Sequence, residues 1–168
     1  INIGSIKKGG ECLSSREMKL RLNQSNKKYF FLKANSQKWD KPIEQFVEGD
    51  QQVYTRKYKN KNGDWRYGDF QGEEEKDLKT GDKIVLYQIN NGAKKPVRSV
   101  YGFMEIVNMT PKETTFELKE RIRKPIDLYE LRKMPILNDV SIIMIANLGD
   151  IANLKKDQYY AIYNMSKK

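Results

Sequence analysis

Between Asp82 and Ile122 the chain carries three strand-like runs, KIVLYQI, RSVYGFMEIVNMT and TTFELKERI, parted only by NNGAKKPV and by the residues around Pro111. Gaps of that length join antiparallel neighbours, whereas a parallel crossover needs a dozen or more residues. The later runs alternate apolar and polar side chains, the pattern of strands in an antiparallel sheet. Every other segment has to pack around that sheet.

Upstream, KYFFLKA (28–34) reads as a strand from its aromatic content, short enough to be buried on both faces. In SQKWDKPIEQFVEGD, Ser36 is a candidate N-cap, and Trp39, Ile43, Phe46 and Val47 recur at helical spacing until Gly49. A strand, a loop and a helix are expected there. QQVYTRKY is a further strand, and KNKNGDWRYGDFQGEEE a long glycine-punctuated loop. Downstream, KPIDLYELRKMP reads as a helix opened by Pro125, followed by the short apolar VSIIMIAN and a last helix near NLKKDQYYAIYNM. Residues 1–28, with Gly4, Gly9, Gly10 and the Lys27-Lys28 pair, read as an N-terminal extension, and 29–166 as one domain. The expected fold class is α+β: a small mixed or antiparallel β-barrel flanked by short helices.

The chain has no histidine and a single cysteine, Cys12. Imidazole acid–base catalysis, His-based triads, multi-cysteine zinc sites and internal disulfides are therefore excluded. No apolar run approaches the ~20 residues of a membrane span, and no secretory segment is evident, so a cytoplasmic protein without a membrane partner is expected. A start at Ile1 rather than Met suits a processed product or a piece of a larger protein.

The 32 Lys and Arg against 22 Asp and Glu give a net charge of +10, which favours a polyanionic partner. Between 51 and 70 the cations Arg56, Lys57, Lys59, Lys61 and Arg66 interleave with Tyr54, Tyr58, Trp65, Tyr67 and Phe70. Cations suit phosphates and aromatic faces suit exposed bases, so these five, with Lys94 and Lys95, are the expected phosphate contacts. Tyr87 and Gln88, at the end of a strong strand, are placed to share a cavity with Lys33 to Ser36. Catalysis finds little support: GEEEKD is a solvated charge run, and GDWRYGDFQG carries no nucleotide fingerprint. No metal, cofactor or catalytic residue is expected.

In this order the segments resemble the EVE domain of the PUA-like superfamily, related to the YTH readers of methylated RNA. YFFLKANSQKW is similar to that family's opening strand and turn, and GDWRYGDFQ followed by LKTGDKIVLYQ to its tryptophan loop and GD turn. YGFMEIV, KPIDLYELRKMP and KKDQYYAIYN match its later motifs, so that the likeness runs from Tyr29 to Asn164. The resemblance implies recognition of a modified base, flipped out of its strand into an aromatic pocket. It places Lys33, Ala34, Asn35 and Ser36 at the pocket floor, Trp65 as a wall, Tyr87 and Gln88 on the far side, and Trp39 as a second wall or an anchor. YTH readers have another tryptophan after the GFMEIVNMT equivalent, where this chain has PKETT. The cage is then either incomplete or completed by Tyr67, Phe70 or a residue near Asn147 to Asp150.

The implied role is the DNA-specificity module of an McrB-like, modification-dependent restriction protein, reading methylated DNA with a GTPase motor and nuclease elsewhere. Three alternatives stay open: a reader of modified RNA, an ASCH-like RNA-processing enzyme with Lys33 catalytic, and a protein-interaction domain.

Overall fold

The computed structural model describes residues 6–8, 11–13, 27–69, 77–92, 94, 97–144 and 150–168. Phe70, Lys95, Asn147 and most of the expected 1–28 extension lie outside the described residues. Near the start, β1 (Ile6–Lys8) and β2 (Glu11–Leu13) pair antiparallel with each other.

The main body comprises β3 (Tyr29–Asn35), β4 (Gln51–Thr55), a two-stranded ribbon of β5 (Tyr58–Lys59) and β6 (Trp65–Arg66), then β7 (Lys83–Asn90), β8 (Val97–Met109) and β9 (Glu113–Asp127). It closes with α1 (Leu128–Arg132), α2 (Ser141–Met144), β10 (Ile151–Leu154) and α3 (Lys156–Met165). Six strands form one sheet in the order β10-β3-β7-β8-β9-β4. The pairs β7–β8 and β8–β9 are antiparallel, as the short gaps require, while β3 runs parallel to β7 and makes the sheet mixed.

Register shifts interrupt β7–β8 at Leu86/Tyr87 and β8–β9 at three points between Val100 and Asn108. Such irregularities bend strands and increase twist, so the sheet curls into a half-barrel. Gly102 permits a close approach of β8 to β9, because a Cβ there would stand 2.5 Å from the Glu120 carbonyl oxygen.

Curling divides the apolar residues between two cores. Phe30, Leu32, Ala34, Ile84, Leu86, Ile106, Phe116 and Leu118 fill the inside of the curl, together with Trp39, Ile43, Phe46 and Tyr54. Phe31, Val85, Tyr87, Val100 and Phe103 face outward and are covered by Leu128, Leu131, Ile142, Ile143, Tyr159 and Ile162. The continuous apolar run of β3 follows from burial on both faces.

Three expectations about local structure are corrected. Residues 36–49 form no α-helix: two short 3-10 turns, Ser36–Lys38 and Ile43–Gln45, flank Pro42. Proline removes a backbone donor and disfavours helical geometry in the residue before it. Trp39, Ile43 and Phe46 are nonetheless buried, whereas Val47 is half exposed. Tyr101 fastens this segment from below, its hydroxyl lying 3.0 Å from the Glu44 carbonyl oxygen and 3.1 Å from that of Phe46. Pro125 belongs to β9, and α1 starts only at Leu128, where Asp127 accepts from the Glu130 N–H at 3.1 Å. The last helix begins at Lys156, because Ile151–Leu154 is an edge strand paired with β3.

Candidate functional site

At the open side of the curl, the end of β3 and the turn after it approach β4. Between them is a cavity of about 280 Å³, lined by Lys33, Asn35, Lys38, Trp39, Gln52, Val53, Tyr54, Gly68, Asp69 and Asp150. That is close to the lower bound of ~300 Å³ for small-molecule pockets, enough for one planar ring system.

Its aromatic side is made by Trp39 and Tyr54, joined by a 2.9 Å hydrogen bond from the indole Nε1–H to the phenol oxygen. Their rings meet edge to face, with centroids 6.2 Å apart. Burial pushes the Tyr54 phenol far up; the Trp39 N–H opposes this, and the charges of Asp150 and Asp69 reinforce it. Tyr54 is therefore neutral at physiological pH. The period-two alternation of β4 turns both Gln52 and Tyr54 inward. Gln52 Oε1 accepts from the Asp40 N–H at 3.2 Å, and Asn35 Oδ1 accepts from the Gln37 N–H at 3.0 Å, so both amides are held in place.

The β5–β6 ribbon grows from the rim of this cavity. Asn60 organises its turn, accepting from Asn62 N–H and Asp64 N–H at 2.9 Å each. The returning chain is tied to β4, with Asp69 N–H donating to the Thr55 carbonyl at 2.8 Å and Thr55 N–H to Asp69 Oδ2 at 2.8 Å. Only glycine fits beside this tie: a Cβ at Gly68 would lie 2.1 Å from the Thr55 carbonyl oxygen. On the ribbon Trp65 is 53% exposed and Tyr67 82%. The Lys57 ammonium stands 4.9 Å from the Trp65 ring and 5.3 Å from that of Tyr67, and Lys59 lies 5.1 Å from Trp65. Lys61 and Arg66 are exposed on the same ribbon and Lys94 in the turn after β7.

Of the expected pocket residues, Lys33, Asn35, Trp39 and Asp150 are brought together here. Ala34 and Ser36 sit behind the lining. Ala34 is fully buried in the inner core, and Ser36 Oγ accepts from the Ile43 N–H at 2.9 Å. Trp65 and Tyr67 do not line the cavity, because the ribbon carries their rings out over its rim. Gln88 is turned away too, its Nε2 donating to Glu44 Oε1 at 2.8 Å. Tyr87 lines a separate small cleft, in which Lys33 also takes part. Arg56 spends an Nη1–H on the Thr110 carbonyl at 3.0 Å, which ties β4 to the β8–β9 turn. Sequence reasoning passed over Lys38, Gln52, Val53, Tyr54, Gly68 and Asp69 as lining residues. Gln52 was signalled by the alternation in QQVYT, whereas Gly68 and Asp69 reach the site only through the returning ribbon.

Chemically, the cavity offers ammonium and amide groups for the polar edge of a ring, and an apolar side for its body. Among the described residues no group of three or more Cys, Asp or Glu side chains is disposed to hold a metal ion.

No protein-family model and no curated protein matches the chain. Solved structures do. A hypothetical protein from Leishmania major is 16% identical, with 85% of this chain and 96% of that one covered at a TM-score of 0.57. A protein from Agrobacterium tumefaciens is 15% identical, with 83% and 92% covered at 0.54. The DUF55 domain of human thymocyte nuclear protein 1 is 10% identical, with 83% and 98% covered at 0.50. The fold is PUA-like. A second structure of the human protein, in complex with 5-methylcytosine-containing DNA, matches at a TM-score of only 0.49, too low to carry its ligand across. The PUA-like body is the curled sheet with its flanking short helices, which sets the cavity between the two sheet edges.

Proposed function

We propose that this chain is an EVE-type module that binds nucleic acid and reads one modified base, turned out of its strand into the cavity between β3 and β4. The observation that carries the reading is a cavity of single-ring size whose rim continues into a basic ribbon bearing two solvent-facing aromatic rings. The ribbon cations hold backbone phosphates while Trp65 and Tyr67 stack on bases left in the strand. The flipped base lies against Trp39 and Tyr54, with its edge toward Asn35, Lys38 and Gln52. Extrusion costs a few kcal/mol of unstacking, which these contacts offset. In this division of labour Trp65 is a platform outside the pocket rather than its wall.

The partner in this proposal is methylated DNA, and the setting is the specificity module of an McrB-like, modification-dependent restriction system in the cytoplasm. Cutting and GTP hydrolysis belong to other domains, and this chain performs no chemistry.

The test is a binding panel of DNA and RNA oligonucleotides carrying N6-methyladenine, 5-methylcytosine or no modification, each against the wild type and Gln52→Ala. Tighter binding to one modified DNA, with the preference reduced in Gln52→Ala, is expected. Equal affinity for all strands would remove base reading, and a preference confined to RNA would reassign the polymer.

A further inference from the structure

On the outer face of the sheet, a second and much smaller cleft adjoins the first. Register builds it: β3 and β7 run parallel with Lys33 beside Tyr87, and β7 pairs with β8 so that Ile89 faces Arg98. Neighbours across strands share a face, so Lys33, Tyr87, Ile89 and Arg98 lie on one side of the sheet. The last residue of α1, Arg132, reaches over them and is anchored by its Nε–H, which donates to the Ile143 carbonyl at 3.1 Å. The space enclosed is about 70 Å³, against a share of ~30 Å³ for one water molecule in the liquid. A nucleobase does not fit, but a tetrahedral oxyanion does.

We propose that Lys33, Arg98 and Arg132 form a phosphate-binding site, adjacent to the cavity and joined to it through Lys33. No described carboxylate forms an ion pair with any of these side chains. Asp127, the acidic group whose charge reaches Tyr87, already caps α1 at the Glu130 N–H. Burial pushes the Tyr87 phenol up, and the charges of Arg98 and Arg132, which line the same cleft, both pull it back. Guanidinium forks match phosphate oxygens in bidentate geometry, and the ammonium of Lys33 adds a third positive charge. Assigning that phosphate to the backbone next to a flipped base rests on the base-reading proposal above; the oxyanion site itself does not.

The experiment uses the whole chain and two probes. Inorganic phosphate is titrated while the arginine side-chain N–H resonances are followed, and a single-stranded DNA oligonucleotide is titrated at several salt concentrations. The variants are Arg98→Gln, an exposed position, and Arg132→Lys, which keeps the charge but loses the fork. Saturable phosphate shifts are expected in the wild type, weakened at least several-fold in Arg98→Gln and less in Arg132→Lys. The slope of log K against log[salt] should fall by about 0.7 in Arg98→Gln, the loss of one phosphate contact to a single strand. Absence of saturable shifts in the wild type, or phosphate shifts not weakened in Arg98→Gln, overturns the site, and an unchanged slope in Arg98→Gln overturns its assignment to a strand phosphate. If phosphate binds as expected but no modified strand is preferred, the oxyanion site stands and base reading falls. Preference for a modified strand without saturable phosphate shifts gives the reverse.

Discussion

The indole Nε1–H of Trp39 and the hydroxyl of Tyr54 meet at 2.9 Å, bridging the turn after β3 and the edge strand β4 across the mouth of the half-barrel. Both side chains are more than nine-tenths buried, so the bond joins the two sides of the cavity and forms its aromatic side at once.

Tyr54→Phe removes the acceptor and leaves a buried indole N–H without it. The expected cost is about 1 to 3 kcal/mol, read from the midpoint of urea unfolding at unchanged slope. The double variant Trp39→Phe with Tyr54→Phe removes donor and acceptor together. It should lose less than the sum of the two single variants, and strict additivity would show that the bond contributes nothing.

Trp65→Ala should leave stability within about 0.5 kcal/mol of the wild type, since the ring is half exposed and outside both cores. Affinity for single strands should fall by about 1 to 3 kcal/mol, the worth of one stacked base. The ratio of affinities for modified and unmodified strands should stay as it was. A lost ratio at unchanged overall affinity would put Trp65 back into the pocket wall.

Gly68→Ala forces a methyl group into the Thr55 carbonyl, where the nearest atom belongs to the backbone and cannot swing away. The tie between Asp69 and Thr55 should open, at a cost of about 1 to 3 kcal/mol. Base discrimination should fall with it, because the rim is displaced. Thermal unfolding and the oligonucleotide panel check the two parts separately.

Acid should loosen the segment that carries Trp39. Lys41 donates to Asp50 Oδ2 at 2.6 Å and the Val47 N–H donates to the same oxygen at 2.9 Å, so the Asp50 carboxyl is held below its ordinary value of 3.8, the Lys41 hydrogen bond being the larger cause. A lowered carboxylate stabilises the fold fully above the unfolded value. Its contribution fades as the pH falls below 3.8 through the folded value. Asp50→Asn should therefore flatten the acid limb of the stability curve there and leave the pH dependence near neutrality unchanged. An acid limb identical to that of the wild type would show that Asp50 does not contribute.

Much of this was legible in local sequence. The short gaps on either side of RSVYGFMEIVNMT required the antiparallel β7–β8–β9 run, and the unbroken apolar stretch of YFFL required burial on both faces. The glycine-punctuated loop signalled aromatics without a core to receive them, and Trp65 and Tyr67 are indeed exposed and outside both cores. The same local signals misled at 36–49: Trp39, Ile43 and Phe46 have helical spacing and are buried, but Pro42 breaks the hydrogen-bond ladder that a helix needs.

By itself, then, the sequence determined the β3, β7, β8 and β9 strand runs, the basic character and the absence of imidazole chemistry, because each depends on residue type and near-neighbour spacing alone. Only the tertiary structure decided which side chains share the cavity. Lys33, Tyr54, Asp69 and Asp150 meet because the two edges of a curled sheet come round to face each other, whereas Trp65, close to Asp69 in the chain, is carried outside by a ribbon. Curl depends on where register slips between paired strands, a property of pairs of segments far apart in sequence that no single segment encodes.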